Sequence, residues 1–525
     1  MRSGNVSGDV SALETCAAAK EGRSADFVDV AVIGAGPGGL TAGYLLTRDH
    51  KALSVAVLEK DPVYVGGISR TEQHEGHYFD IGGHRFFSKS PEVVALWNEL
   101  LPGDFIERPR SSRIYYGNRF YRYPLDGIEA LRNLGLIESA RCVLSYLAAR
   151  MKRTREAATF HDWVASQFGE RLFSIFFKTY TEKVWGMSCD EISADWAAQR
   201  IKGLSLSTAI VDAVRRSLGV SRRDKTVKTL IESFHYPLRG PGMLWESAAR
   251  KIEDQGGALM MGHAVASLRY DAAARLWSIG TTVAGVAGPT LSARHVVCTA
   301  PLRETIGMMT PTPRSSEAAA RLRYRDFLTV AVMLDRRASF ADNWIYIHDP
   351  GVKVGRIQNF ASWSPHMVPD AEHGGCLGLE YFCFEGDALW DSSDEALTEL
   401  AILELTKIGL ATREEVRGAR VVRQPKAYPV YDESYRAIVE QIKGELAEHF
   451  PNLHLVGRNG MHKYNNQDHA MMTAMLTVEN IAAGRTVHDV WRVNDDAEYH
   501  EEERNAGSGA TGVRAVPSRV IKGAV

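Results

Sequence analysis

From Val28 to Ile33 the chain reads "VDVAVI", an apolar β-branched run of the length expected for a buried strand. It passes directly into glycines and then into "LTAGYLL", where the pattern predicts a helix. "LSVAVLEK" predicts a second buried strand. The spacing turns helical in "GIEALRNLGLIESARCVLSYLAARMKRT" and "FHDWVASQFGERLFSIFFKTY", which predicts a helical insertion over 126–220. "HYPLRGPGMLWESAARKIE" predicts a Gly-rich turn before a helix, returning to the first unit. Alternation around 263–300 and 325–385 predicts a mixed sheet that carries a substrate floor. A last strand, "NLHLV", and a helix with small residues, "TAMLTVENIAAG", predict re-entry into the first unit at 450–490. The fold class is therefore α/β: a Rossmann-like unit built from discontinuous segments, a helical insertion and a mixed-sheet domain.

The glycines after the first strand give it a chemical role. Gly34, Gly36 and Gly39 form a GxGxxG turn between strand and helix, and Glu59 closes the next strand 20 residues past Gly39. Gly34 permits the tight turn, Gly36 lets backbone approach a pyrophosphate, and Gly39 lets helix and strand pack closely. The helix N-terminus faces the negative charge, and Glu59 can accept from ribose hydroxyls. A second glycine pair, Gly66 and Gly67, followed by Arg70, suits a longer cofactor running on across the domain. "RHVVCTAP" supplies a strand returning to the nucleotide unit, and no second GxGxxG stands between strand and helix. These features together favour FAD over NAD. In "YFDIGGHRFFSK", Gly82 and Gly83 precede His84 and Arg85, a turn where backbone can approach a planar ring.

Composition narrows the class. With 525 residues, 45% apolar, the chain holds a large core and two or three domains. A net charge of −2 gives no electrostatic reason to expect nucleic acid or an anionic membrane, although a local basic pocket is compatible with it. The six cysteines are scattered without metal-ligand spacing and read as reduced thiols. No apolar signal segment and no run of membrane-spanning length is present, so a cytoplasmic protein without a membrane span is expected. Residues 1–26 and 496–525 read as a disordered and a flexible tail. The expected division is FAD-binding at 27–110, 226–305 and 446–495, a substrate-side helical insertion at 111–225 and a mixed-sheet substrate domain at 306–445.

"GRNGMHKYNNQDHAMM", from Gly457 to Met472, crowds polar side chains into one strand-to-helix turn. Together with "VIGAGPGGL", "GGIS", "DIGGHRFF", "TYTEKVW" and "RGPGMLW", it resembles the UDP-galactopyranose mutases, above all their eukaryotic-type branch, within the amine oxidase-like flavoproteins. The resemblance covers most of 28–490 and is patchy between motifs; its front end is common to the superfamily. It implies a flavin-dependent pyranose/furanose mutase in which reduced flavin N5 is the nucleophile at the anomeric carbon of a nucleotide-sugar. It also implies a diphosphate clamp: Arg356 in "VGRIQNFASWSP", Tyr428 in "PKAYPVYD" and Tyr464. A guanidinium holds two phosphate oxygens at once, and a phenol adds a neutral donor. Arg458 is implied beside the flavin, and Asn466, Gln467 and Asp468 match a run that contacts FAD and substrate. Two departures bear on the sugar: Lys178 stands where the family has an arginine, and the turn after Tyr464 is two residues shorter than in the nearest branch. Arg113, Arg119, Arg122, Tyr121 and Tyr123 either line a nucleotide pocket or form an exposed hairpin. The implied partners are a nucleotide-sugar, a UDP-hexose first, and an electron donor; homo-oligomerisation stays open. The alternative is an FAD-dependent oxidoreductase of the amine oxidase or protoporphyrinogen oxidase type, and a non-catalytic flavoprotein ranks third.

Overall fold

The computed structural model describes residues 26–494 apart from 124, 126, 152–156, 193 and 195–231. Except for Asp26, both expected tails lie outside these residues, as do Cys16 and the end of the expected insertion.

The expected strand, glycine turn and helix are present as β1 (Phe27–Ile33) and α1 (Pro37–Asp49). Proline at the start of α1 gives up an amide that a first turn leaves unpaired anyway, and its fixed φ suits the helix. Ten residues of α1 are buried, so the helix is apolar on every side and lies between layers. One layer is an eight-stranded sheet. It contains β1, β2 (Val55–Glu59), β9 (Ala258–Met261), β10 (His263–Asp271), β11 (Leu276–Val283), β12 (Val286–Cys298), β13 (Met309–Thr310) and β19 (Leu453–Leu455). Strands β9, β2, β1, β12 and β19 pair parallel, with Val30 opposite both Val55 and His295. Strands β10 to β12 form an antiparallel extension. The other layer over α1 is α11 (Gln467–Ala482), so close that a Cβ on Gly38 would lie 3.4 Å from the Ala470 carbonyl oxygen.

The second sheet orders its seven strands β18 (Val416–Pro429), β14 (Tyr324–Leu334), β17 (Gly375–Cys383), β16 (Arg356–Asn359), β15 (Trp344–Ile347), β6 (Ser112–Tyr116) and β7 (Arg119–Arg122). Two ribbons tie the sheets together: β3 (Thr71–His74) with β4 (His77–Asp80), and β5 (Phe105–Pro109) with β8 (Ser233–Pro237). Helix α2 (Pro91–Leu100) and α7 (Gly242–Asp254) cover the first sheet. The insertion comprises α3 (Gly127–Leu134), α4 (Leu136–Met151), α5 (Phe160–Phe168) and α6 (Thr179–Trp185). α8 (Leu302–Gly307), α9 (Asp394–Ile408) and α10 (Tyr435–His449) complete the labelled helices.

The mixed α/β class is as expected, and the boundaries shift. Strands at 263–298 belong to the first sheet rather than to the substrate floor. Strand β13 and helix α10, expected within 306–445 on the substrate side, also belong with the first sheet, where Ile438, Ile442 and Leu446 bury against Leu453 and Leu455.

Candidate active site

Two cavities meet between the sheets. The larger, about 650 Å³, runs past Gly34, Gly36, Glu59 and Gly67 and along Thr299 to Pro301. The smaller, about 160 Å³, is walled by Gly82 to Arg85, Trp344, Tyr346, Arg356, Gln358, Trp363, Tyr428 and the 458–468 turn. Arg458, Asn466 and Gln467 border both. A single long ligand can therefore pass from one to the other, its nucleotide end at β1 and its other end beside His84.

The larger cavity is a nucleotide cradle on its own geometry. A Cβ placed on Gly36 would touch no protein atom, so that bareness serves something other than packing. One on Gly39 would lie 1.9 Å from the Gly34 carbonyl oxygen, and Gly39 has the packing role expected of it. Gly34 itself sits at φ +93 and Gly66 at φ +96, and the Gly66 N–H donates to the Ala35 carbonyl at 2.7 Å. Glu59 Oε2 accepts from the Ala35 N–H at 2.7 Å and Oε1 from Asp61 at 2.9 Å, which leaves lone pairs for ribose hydroxyls. The N-termini of α1 and α11 both border the cavity and favour anionic oxygens there. Two wall residues, Asn459 and Gln467, carry buried side-chain oxygens with no protein partner among the described residues. These features fit FAD.

Arg70 does not reach this cavity as expected. Its guanidinium donates to the Gly67 carbonyl and at 2.6 Å to Gln424 Oε1, so it braces the 66–69 loop that lines the cradle. Gly66 and Gly39 likewise shape the cradle from behind its wall.

The smaller cavity owes its floor to strand alternation. In register, Trp344 faces Gln358, Tyr346 faces Arg356, and Arg356 faces Glu380. Residues two apart on a strand share a face, so four of these side chains turn toward the same chamber. Wholly buried Glu380 accepts from Arg356 Nε at 2.5 Å and from Gln358 Nε2 at 2.7 Å. Gln358 Oε1 in turn accepts from Trp363 Nε1 at 2.9 Å. Arg356 Nη1 keeps its hydrogens available, with no protein partner among the described residues. The Gly82–Gly83 turn lies on this floor: a Cβ on Gly83 would come within 3.0 Å of Gln358 and Trp363.

The opposite wall is the 458–468 turn. Tyr428 and Tyr464 stack with centroids 5.5 Å apart and planes 10° apart, and the Arg458 Cζ lies 5.2 and 5.1 Å from the two rings. Arg458 is held in place by donating to the Asn465 and Ala427 carbonyls. Burial, then the neighbouring phenol, pushes the Tyr428 hydroxyl up to about 12, so it keeps its proton and can donate a hydrogen bond at neutral pH. Asn466 caps α11, its N–H donating to His469 Nδ1 at 3.2 Å, while Gln467 Nε2 donates to the Arg85 carbonyl at 3.0 Å. Asp468 is buried in the first turn. His84 Nδ1 lies 3.0 Å from the Gly82 carbonyl and must carry the proton, so Nε2 is an acceptor. Burial, then Arg458, with a smaller push from Arg356, lowers the imidazole to about 3 and keeps it neutral. The chamber thus combines three arginines, three tyrosines, the Asp468 carboxylate and a neutral imidazole.

Thus Arg356, Tyr428, Tyr464, Arg458, His84, Gly83, Asn466, Gln467 and Asp468 come together, and Lys178 does not. Lys178 is exposed, and ends a five-residue π turn, Ser174–Lys178, that rotates it away from the chamber. The lysine that turns inward is Lys183, whose ammonium donates to the carbonyls of Ile347, Asp349 and Val354. The β6–β7 pair takes its hairpin form: Arg113 binds Asp342, Arg119 and Arg122 are exposed, and Tyr121 packs inward, with Tyr123 edge-on to Tyr346. Sequence reading missed Trp344, Tyr346, Gln358, Trp363 and Glu380. The two-residue spacing from Arg356 would have found Gln358; the others depend on which strands become neighbours.

Comparison with known proteins gives the family. The coproporphyrinogen III oxidase of Mycobacterium leprae (strain TN) is 23% identical over 440 residues, 79% of this chain and 90% of that protein. A 15-cis-phytoene desaturase of Narcissus pseudonarcissus is 30% identical over 162 residues, 27% of this chain and 28% of its own. Among solved structures, reduced UDP-galactopyranose mutase superposes with a TM-score of 0.76 at 20% identity, over 89% of this chain and 98% of that one. Putrescine oxidase bound to putrescine superposes at 0.56 and 16%, over 87% and 99%. At such identities the structural likeness is one of fold. Residues 37–465 match the family model described as flavin containing amine oxidoreductase, and the chain belongs to that family, with FAD as its cofactor.

Proposed function

We propose that the protein is an FAD-dependent nucleotide-sugar pyranose/furanose mutase acting on a UDP-hexose. The observation that carries this is the convergence of Arg356, Tyr428 and Tyr464 on one polar chamber opposite His84. When bound and reduced, FAD would supply N5 as the nucleophile for the anomeric carbon. Arg356, aligned by Glu380, offers its remaining N–H groups to a diphosphate. The two phenols donate to the same group without adding buried charge. Held this way, the departing nucleotide stays within reach for recapture. Neutral His84 accepts from a sugar hydroxyl, and Asn466 and the first turn of α11 position the ring oxygens. Dithionite-reduced protein should convert UDP-galactopyranose to the furanose, read by chromatography. If titration of the reduced protein followed by flavin fluorescence reveals no nucleotide-sugar binding, this reading is lost.

A second reading is an FAD-dependent oxidoreductase. It is favoured by the coproporphyrinogen III oxidase likeness over 79% of the chain, and by arginines that can equally hold carboxylates. Oxygen consumption with a porphyrinogen and no prior reduction would select it. The polar 457–469 turn argues against an oxidase of apolar amines, which needs a desolvated aromatic cage.

A further inference from the structure

The insertion helix α4 carries its apolar residues on the wrong side for a soluble helix. Of the ten large apolar side chains that stand exposed among the described residues, six are on this one element. Leu136 is 91% exposed, Ile137 75%, Leu144 66% and Met151 87%, with Val143 and Leu147 between them. Positions 137, 144, 147 and 151 recur at helical spacing, so they form one stripe along the helix. The inward face is narrower: Cys142 and Tyr146 bury, and Cys142 joins Tyr121, Ile175 and Phe176.

Charge decides what covers the stripe. Arg132, Arg141 and Arg150 are exposed on or beside α4. The helix has one carboxylate, Glu138, and it is engaged by Arg171 and, at 3.6 Å, by Arg141. The charge presented around the stripe is therefore cationic, although the chain as a whole carries −2. A second copy docked on the same face would bring a second set of guanidinium groups with no carboxylate to answer them. An anionic lipid surface answers both features: acyl chains receive the leucines, and headgroups receive the arginines.

We propose that α4 lies in the interface of an anionic bilayer and makes this protein a peripheral membrane enzyme. The helix does not span: among the described residues, none is long and apolar enough to cross a membrane. The inference is independent of which flavin reaction the protein performs.

The test is co-sedimentation of the full-length holoprotein with vesicles of phosphatidylcholine alone or mixed with phosphatidylglycerol. Binding is expected to the anionic vesicles and not to the neutral ones, falling severalfold at about 0.5 M salt. Leu144→Glu with Leu147→Glu should lower binding at least about tenfold, leaving flavin content and circular dichroism unchanged. Arg141→Glu with Arg150→Glu should weaken it while keeping the apolar stripe. No sedimentation with either vesicle, or binding untouched by both pairs of substitutions, overturns the proposal. So does a dimer in analytical ultracentrifugation that the leucine variant dissolves, since a second copy would then be the occupant.

Discussion

Arg356 meets Glu380 through Nε and Nη2, and Glu380 has no access to solvent. Substitution there has two separable effects. On the proposed mutase reading, Arg356→Ala should lower kcat/KM for the nucleotide-sugar by about a hundred- to a thousandfold, because a charge-assisted diphosphate contact would disappear. It should also cost about 3 to 5 kcal/mol of stability, because a buried carboxylate loses its partner. Adding Glu380→Gln should restore most of the stability and none of the turnover, read by chemical denaturation beside steady-state kinetics. A full return of activity in the double variant would remove Arg356 from the clamp. At this scale the sequence was informative where a residue's chemistry is rare in its setting, as with Arg356 or the 458–468 turn. It was silent where an ordinary Trp344 or Tyr346 becomes functional only through cross-strand register.

Elements explain where residue-level reading slips. The match of Lys178 to a family arginine takes no account of local helix phase, and the π turn at Ser174–Lys178 adds a residue that shifts that phase. Lys183, seated on three carbonyls at the end of β15 and beyond, fixes α6 against the second sheet. Lys183→Met should therefore destabilise by about 2 to 3 kcal/mol through unsatisfied carbonyls, measured by urea denaturation. The glycine turn before α1 was fully legible because its geometry is local, and it offers a sharper contrast. Gly36→Ala adds a Cβ that meets no protein atom, so the protein should fold with native circular dichroism and purify without flavin colour. Gly39→Val drives a Cβ into the Gly34 carbonyl and should prevent soluble accumulation altogether. Equal flavin loss in two equally folded variants would contradict these separate roles.

Over the whole molecule, the alternation of helix and strand patterns was enough to give the fold class, while sheet membership was not. Strand β13 is two residues long and α10 has an amphipathic pattern that either sheet could bury, so their place is set by packing that no local pattern encodes. Long-range burial also sets the response to acid. His84, His348 and His454 are lowered to about 3 and His462 to about 4, each by desolvation first. Below about pH 6.5 the unfolded chain takes up protons at these imidazoles and the folded chain does not, so stability falls as pH falls. Asp80, raised to about 7 by burial, acts in the opposite sense, since the folded state holds a proton there that the unfolded state lacks. His77 and His295 are lowered too, and the lowered imidazoles outnumber the raised groups, Asp80 and His161, so the thermal midpoint should be lower at about pH 5 than at about pH 7.5; a flat or inverted profile would show those imidazoles to be solvated. Arg458 stands at the border of both chambers. Whatever occupies one compartment alters the field that guanidinium presents to the other, so the two occupancies are thermodynamically coupled. The factor by which a ligand in the smaller chamber changes the hold on flavin must then equal the factor by which flavin changes the hold on that ligand, whichever arrives first.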